Sequence, residues 1–288
     1  MDKVPPVNSV RKGRASETAL RVAQARAVHQ LLDEPIVFED PLALRILGAE
    51  TEAALREDPF EHNDPIQRAM RAGIVVRALC AEDELARAVA AGVRQYVILG
   101  AGLDTFAYRN PYPELRVFEV DHPSTQQWKR RCLEEATIAP PSTLTYVPID
   151  FEHQELPRCL AAAGFRSDRP ACFSWLGVTM YLTEAAILET LRYVAGLPRD
   201  SSITFDFLVT PAVMNPIERA ASEIIGQRIS AMGEPWVSAF EPAVLQRKTL
   251  DQGFRDSRFL DGPELNRRYF HRRKDGLHTN VRIICASV

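Results

Sequence analysis

Glycines and carboxylates follow three successive apolar segments of the chain, and their types and order suit the binding of a nucleoside. Gly100 and Gly102 follow the apolar run QYVIL, Asp121 closes the next run, LRVFEVD, and Asp150 closes the third, LTYVPID. Glycine lets a backbone approach a ligand closely because it lacks a Cβ atom, and a carboxylate about 20 residues further on accepts hydrogen bonds from ribose hydroxyls. Asp150 is placed to accept a bond from an adenine amino group, with the neighbouring Phe151 lining the adenine slot.

These residues meet only if the apolar segments are neighbouring parallel strands. Apolar runs alternate with segments of helical periodicity, and that alternation predicts an α/β fold with a doubly wound, mostly parallel sheet and helices on both faces. Ligands of such sheets bind at the carboxyl ends of the strands. The apolar runs predict strands within residues 95–102, 115–121, 144–150, 171–182, 201–209 and 280–288.

The segments between the strands predict helices, two of them capped by serine. Ser16 and Ser124 each precede a helical pattern, while residues 49–64 are acidic and predicted to be irregular. The predicted helices are 16–32, 40–48, 65–90, 124–136, 154–163, 183–196, 211–232 and 241–253.

The order of these elements predicts a single domain over residues 1–288. Residues 1–90 would form a helical cap, 91–210 the ligand-binding core, 211–240 a helical lid insertion and 241–288 a C-terminal helix and strands. Apolar residues of the insertion, among them Met214, Ile217, Met232 and Trp236, would then line the lid.

Composition narrows the class of protein. The 288 residues carry a net charge of −3, which lacks the basic excess typical of a nucleic-acid binder. Five cysteines without a CxxC pair indicate reduced thiols, and the histidines show no metal-binding spacing. The chain shows neither a signal-peptide pattern nor an apolar stretch long enough to span a membrane. We therefore expect a soluble, cytoplasmic protein that binds neither nucleic acid, membrane nor metal.

The nucleoside is better matched by S-adenosylmethionine (SAM) than by a dinucleotide. Thr105 stands where the dinucleotide fingerprint GxGxxG has its third glycine, and no phosphate-binding GxxxxGK[ST] loop occurs. SAM carries no phosphate, but its carboxylate needs a cation, and Arg77 precedes the first strand on a predicted helix. Arg77 could equally be a solvated helix charge, and an NAD-dependent oxidoreductase remains the alternative.

The chain resembles the leucine carboxyl methyltransferase family of class I SAM-dependent methyltransferases, and in particular its bacterial members that methylate polyketide carboxylates. The segments that carry the resemblance are SETAL, DPLA, the Arg77 helix, YVILGAGLDTFAYR, FEVDHP, PIDFE, WLGVTMYLT and RYFHRRKDGL. The resemblance implies that Arg77 holds the SAM carboxylate, Gly100 and Gly102 line its methionine portion, and Asp121 binds the ribose. It also implies that Asp150 and Phe151 contact adenine. Leu176 departs from the glutamate that some members carry.

The chemistry expected of such an enzyme is O-methylation of a small-molecule carboxylic acid. A carboxylic acid, with a pKa of about 4, is ionised at neutral pH and needs no general base. A phenol would need a general base, and the candidates for that base are His122 and His153. Tyr181, Arg109 and the basic region around Arg272 are the candidates for acceptor recognition. A protein's C-terminal carboxylate is an alternative acceptor.

Overall fold

Seven strands form one sheet in the computed structural model, which describes residues 17–150, 153–275 and 277–288. The strand order is β3-β2-β1-β4-β5-β7-β6. Strands β1 to β5 pair in parallel, and β7 runs antiparallel to both β5 and β6. The strands are β1 Gln95–Leu99, β2 Arg116–Asp121, β3 Leu144–Pro148, β4 Cys172–Trp175, β5 Ser202–Phe207, β6 Asp256–Leu260 and β7 Arg282–Ser287. The predicted α/β fold with a mostly parallel sheet is confirmed.

Helices cover both faces of this sheet. The helices are α1 Glu17–Leu32, α2 Ala49–Glu57, α3 Pro65–Ala90, α4 Phe106–Arg109, α5 Pro123–Glu135, α6 Leu156–Ala162, α7 Glu184–Ala195, α8 Pro216–Ala231, α9 Pro242–Asp251 and α10 Gly262–Tyr269. Side chains of α6, α7 and α9 pack on one face of the sheet, and those of α3 and α10 pack on the other. Within the described ranges, no helix combines the length and apolar character that crossing a bilayer requires.

Several local predictions were wrong. The acidic segment predicted to be irregular contains α2, and residues 40–48 form turns and the 3-10 helix Arg45–Leu47 instead of an α-helix. Helix α5 is capped by His122, whose ring accepts a hydrogen bond from the Ser124 N–H, because Pro123 already occupies the first helical position. The proposed cap Ser16 lies outside the described residues.

Helix α3 is fixed at its start and packs directly on the sheet. Asp64 and Gln67 form a capping box around Pro65, which satisfies backbone N–H groups that a helix start leaves unpaired. Val76 and Cys80 of this helix are buried against the β7 residues Ile283 and Cys285. The helix therefore holds its side chains at fixed positions above the sheet.

The segment after β5 leaves the sheet and returns to it at a short bridge. Val209 and Phe240 form an isolated parallel bridge, and the Phe240 N–H donates to the Leu208 carbonyl at 2.8 Å. Between these anchors lies α8, in which Ile217 is 82% exposed and Ile229 is buried. The predicted helical segment is thus present. We call residues 210–239 the excursion after β5, and the bridge between Val209 and Phe240 holds its two ends together.

A buried carboxylate joins α1, α3 and the segment after α10. Asp33 accepts hydrogen bonds from Arg71 Nε at 3.0 Å and Nη2 at 3.1 Å, and Arg273 Nη2 lies 3.3 Å from its Oδ1. His29 Nδ1 lies 2.5 Å from Asp33 Oδ2, while its Nε2 accepts from the Phe38 N–H, so Nδ1 is the donor. The Arg71 and His29 hydrogen bonds hold the pKa of Asp33 well below its ordinary value, against the opposing effect of burial.

We expect Asp33→Asn to lower the free energy of unfolding by about 3–5 kcal/mol, because it leaves buried arginine charge uncompensated. Urea denaturation followed by circular dichroism would measure the loss. Asp168→Asn is the matched control, since Asp168 forms a similar pair with Arg166 that is exposed to solvent and surface pairs contribute little. Equal denaturation midpoints for the Asp33 variant and the wild type would contradict the structural role of this carboxylate.

Candidate functional site

A cavity of about 730 Å³ opens at the carboxyl ends of β1 to β4. The predicted residues Gly100, Gly102, Asp121 and Asp150 all line it, and so does Arg77 from α3. The strand register explains this convergence, because Leu99 pairs with Val120 on one side and with Trp175 on the other. Phe151 lies outside the described residues.

The turn after β1 is packed tightly and needs its glycines. Gly100 and Gly102 have φ values of +69° and +47°, which residues with a Cβ rarely adopt. A Cβ on Gly100 would lie 2.3 Å from Val178 Cγ2, and one on Gly102 would lie 3.2 Å from Ala19 Cβ. The turn therefore presents bare backbone to the cavity between α1 and the loop after β4.

Asp121 is held by the backbone at the tip of β2. The Gly102 N–H donates to its Oδ2 at 2.6 Å and the His122 N–H to its Oδ1 at 2.7 Å. Each carboxylate oxygen has a second lone pair, so both remain able to accept a bond from a ligand hydroxyl. Burial raises the pKa of this carboxyl, and the two backbone bonds oppose that rise.

Arg77 is oriented by a carboxylate that the sequence analysis missed. Its Nη1 donates to Asp206 Oδ2 at 2.8 Å, and Asp206 Oδ1 accepts from the Gly177 N–H at 2.6 Å. Asp206 is buried within β5. It is the single charged residue of the strand sequence SITFDF, and that charge was the signal available in the sequence. A guanidinium has five N–H donors, of which this acid engages one, and Arg77 can thus hold a further carboxylate at the cavity wall.

Arg109 is not among the residues that line the cavity, and its hydrogen bonds go to other side chains of the protein. Its Nη1 donates to Glu82 Oε2 at 2.8 Å and its Nε to Thr105 Oγ1 at 3.1 Å. The guanidinium also lies over the Phe38 ring at 5.0 Å. Thr105 in turn donates to Asp40 at 2.7 Å, so the residue at the third glycine position ties the turn to the cap. These contacts place Arg109 to stabilise the turn.

The basic region around Arg272, the other arginine candidate for acceptor recognition, does not line the cavity either. Arg273 forms ion pairs with Asp33 and Asp275, and neither it nor Arg272 is among the residues that line the cavity. His122 and His153 do line it, but His122 Nδ1 caps α5 by accepting from the Ser124 N–H.

Another part of the cavity wall is formed by α1, the loop after β4 and the segment after α8. Tyr181, an acceptor-site candidate from the sequence, lines the cavity, and burial raises its pKa against hydrogen bonds with Thr18 and Trp236. Apolar side chains form much of this wall: Leu176, Val178, Leu182 and Val237. Of the excursion after β5, residues 233–235 and Val237 line the cavity, whereas the predicted Met214, Ile217, Met232 and Trp236 do not.

A buried ion pair lies on β2 below Asp121. Glu119 Oε2 accepts from Lys129 Nζ at 2.7 Å, both side chains are about 1% exposed, and Glu119 Oε1 has no hydrogen-bond partner. Burial raises the pKa of Glu119 to about 7 despite Lys129. The sequence analysis did not predict this ion pair. The sequence signal was Glu119 itself, a charged residue between the apolar residues Phe118 and Val120 of β2.

The model of the leucine carboxyl methyltransferase family matches residues 19–195, which is more than half of the chain. The chain belongs to this family. The resemblance drawn from the motifs is therefore confirmed.

Relatives agree with the family assignment. The chain is 32% identical over 298 residues to YktD of Bacillus subtilis, whose name assigns it to the SAM-dependent methyltransferases, and the match covers 93% of this chain and 95% of YktD. A protein of Frankia alni with a similar name is 36% identical over 187 residues, a match of 62% of this chain and 64% of that protein.

Solved structures share the fold at low identity. A Thermobifida fusca structure titled as a methyltransferase has a TM-score of 0.55 at 17% identity and covers 99% of both chains. A DUF574-family protein from Streptomyces avermitilis has a TM-score of 0.55 at 15% identity, covering 96% of this chain and 98% of that one. These likenesses concern the fold alone.

The enzyme is a SAM-dependent methyltransferase, and its cavity fits the cofactor. A packed glycine turn, a half-buried carboxylate that lines the cavity and a fixed arginine match a ligand with a diol and a carboxylate. Arg77, Asp121 and Asp150 are the residues that would hold SAM, which supplies a methyl group already activated on a sulfonium. Nothing in these comparisons supports the alternative of an NAD-dependent oxidoreductase.

We expect Asp121→Ala to weaken the binding of S-adenosylhomocysteine (SAH) by about 10- to 150-fold, because a charge-assisted hydrogen bond contributes about 1.5–3 kcal/mol. Isothermal titration calorimetry would measure the dissociation constant. Asp256→Ala, which removes an exposed carboxylate on β6, is the matched control. Unchanged SAH affinity in a folded Asp121 variant would refute the ribose assignment.

Glu119 should make stability depend on pH. Its folded pKa of about 7 lies above the ordinary value of 4.5, so the folded protein retains a proton that the unfolded chain releases. The stabilisation is complete below pH 4.5 and is lost as pH rises through about 7. We expect the stability of the wild type relative to Glu119→Gln to fall between about pH 5 and pH 8, as measured by urea denaturation. A difference independent of pH would contradict this.

Proposed function

We propose that the enzyme transfers the methyl group of SAM to a carboxylate oxygen of a small, polyketide-like carboxylic acid. The observation that carries the proposal is the cavity at the strand tips, whose wall includes the apolar residues Val178, Leu182 and Val237. Its volume of about 730 Å³ falls in the range of small-molecule pockets. Membership of a family named for carboxyl methylation supports a carboxylate as the acceptor.

The residues at the site have positioning roles in this reaction. Arg77, fixed by Asp206, and Asp121, fixed by two backbone N–H groups, hold the two ends of the cofactor at defined places. The apolar wall excludes water from the acceptor, and alignment alone then lowers the barrier. A carboxylate acceptor, with a pKa of about 4, is already deprotonated, so no side chain needs to remove a proton.

The sheet topology supports an adenosyl side and an acceptor side on opposite sides of β1. Asp121 ends β2 and Asp150 follows β3, on one side of β1, whereas Leu176 and Tyr181 follow β4 on its other side. A cofactor that lies across the glycine turn of β1 therefore presents its methyl group to the loop after β4. This arrangement supports the apolar part of the wall as the acceptor site.

Transfer of a labelled methyl group from SAM to a panel of aromatic and aliphatic acids, with phenols of matched shape, tests the proposal. We expect labelled products from acids, and we expect mild base to release their label as methanol because methyl esters hydrolyse. A base-stable methyl ether from a phenol, with no ester from any acid, would contradict a carboxylate acceptor. Asp121→Ala is the control, and its rate should fall at low SAM concentration and recover at high concentration.

A further inference from the structure

Asp206, near the end of β5, holds two neighbouring parts of the cavity wall at once. Its Oδ2 accepts from Arg77 Nη1 of α3 at 2.8 Å, and its Oδ1 accepts from the Gly177 N–H at 2.6 Å. Its backbone carbonyl accepts from the Thr179 hydroxyl at 2.6 Å. The loop after β4, residues 176–182, is therefore attached to β5 through the same residue that pairs with Arg77.

Arg77 also packs directly on this loop. Gly177 has a φ of +72°, and a Cβ there would lie 2.6 Å from Arg77 Nη2 and 3.0 Å from its Cζ. Burial raises the pKa of the Tyr181 hydroxyl in the same loop, and the positive charge of Arg77 is among the effects that oppose this rise. The guanidinium thus lies against the bare backbone of the loop, and its position and that of Gly177 depend on each other.

The loop supplies a large part of the wall that an acceptor would meet. Five of its residues line the cavity: Leu176, Gly177, Val178, Tyr181 and Leu182. Methyl transfer requires that the acceptor atom be aligned with the methyl group, and a small displacement of the groups that position it slows the reaction. Whatever fixes this loop therefore contributes to the alignment.

The pair formed by Arg77 and Asp206 is largely buried, with 13% and 3% of the two side chains exposed. A hydrogen bond between charged groups is stronger in such surroundings than in water. One carboxylate leaves the long arginine side chain some freedom, and a second carboxylate on its other N–H groups removes that freedom. The bound cofactor would then also fix Gly177, which contacts both members of the pair.

We propose that Asp206 is a positioning residue that ties the loop after β4 to Arg77, so that the carboxylate of the bound cofactor fixes the wall that the acceptor meets. The proposal rests on the assignment of that carboxylate to Arg77, and it holds for any acceptor. The competing role for Asp206 is purely structural, since it would then only compensate the buried charge of Arg77. The two roles differ in whether the loop responds to the carboxylate of a ligand.

The test compares two ligands that differ only in this carboxylate: SAH and 5′-(3-aminopropylthio)-5′-deoxyadenosine, which is SAH without its carboxylate. Isothermal titration calorimetry should show that the wild type binds SAH about tenfold more tightly or better, because the analogue lacks the charge-assisted bonds to Arg77. At saturation with each ligand, hydrogen–deuterium exchange of residues 176–182 should be about threefold slower with SAH, because the loop opens less often. Peptides that contain Asp121 are the internal control, since both ligands carry the same adenosine.

Three variants separate the two roles of Asp206. Asp206→Asn cannot accept from both Arg77 and Gly177, because one polar end of an amide is a donor, and we expect it to lose the difference in loop exchange between the two ligands. Thr179→Val removes the other bond between the loop and Asp206 but leaves the ion pair, so it should speed exchange with both ligands and keep their difference. Asp256→Asn changes an exposed carboxylate of β6 and should keep every wild-type value.

The possible failures are distinguishable. Equal affinity of the wild type for the two ligands would remove the cofactor carboxylate from Arg77, and the role of Asp206 would fail with that assignment. Tighter binding of SAH with equal loop exchange for both ligands would leave the assignment standing and overturn the role of Asp206, and this comparison decides the question even if Asp206→Asn does not fold. A folded Asp206→Asn that keeps the wild-type difference in loop exchange would establish the purely structural role. The proposed carboxylate acceptor is unaffected by these results, because no acceptor is present in the measurements.

Discussion

The parallel pairing of β1 with β2 on one side and β4 on the other is the constraint on which the site depends. Because the three strands run in the same direction, the turn after Leu99, the side chain of Asp121 and the loop starting at Leu176 emerge at one edge. A slip of one residue in a strand would turn its side chains to the opposite face. The buried apolar residues of both faces, such as Val97 and Ile98, fix the register against such a slip.

Two ionised groups of the cavity wall are held in place by fixed partners. Asp206 restrains Arg77 from β5, and backbone N–H groups restrain Asp121. Fixed partners reduce the entropy that a flexible arginine would lose on binding a ligand. They also compensate charges that burial alone would make unfavourable. The cavity can therefore carry charged groups beside the apolar side chains Val178, Leu182 and Val237.

The parts of the structure that were predictable from the sequence are those with strong local signals. Apolar runs that end in glycine or aspartate identified β1 to β3 and their tips. Arg77 was singled out by the resemblance to the family, since its place on the helix before β1 left a solvated charge equally open. β6 was missed because the edge strand DSRFL carries charged residues, and α2 because its acidic composition was taken as irregular. The pairing of Arg77 with Asp206 joins residues 129 positions apart, and no local pattern specifies such a contact. Arg109 was proposed for the acceptor because its partner Glu82 could not be seen in the sequence.

The part of the cavity wall proposed to face the acceptor is built from segments outside the tips of β1 to β3. It is contributed by α1, the loop after β4, residues 233–235 and Val237. The returning arm of the excursion is tied to that loop, because the Val237 N–H donates to the Met180 carbonyl at 2.7 Å and Ser238 donates to the Leu182 carbonyl. None of the described residues that line the cavity lies in α8 itself. Changes on the outer face of α8 would therefore leave the wall intact, whereas a change in the short arm would alter the shape and charge that an acceptor meets.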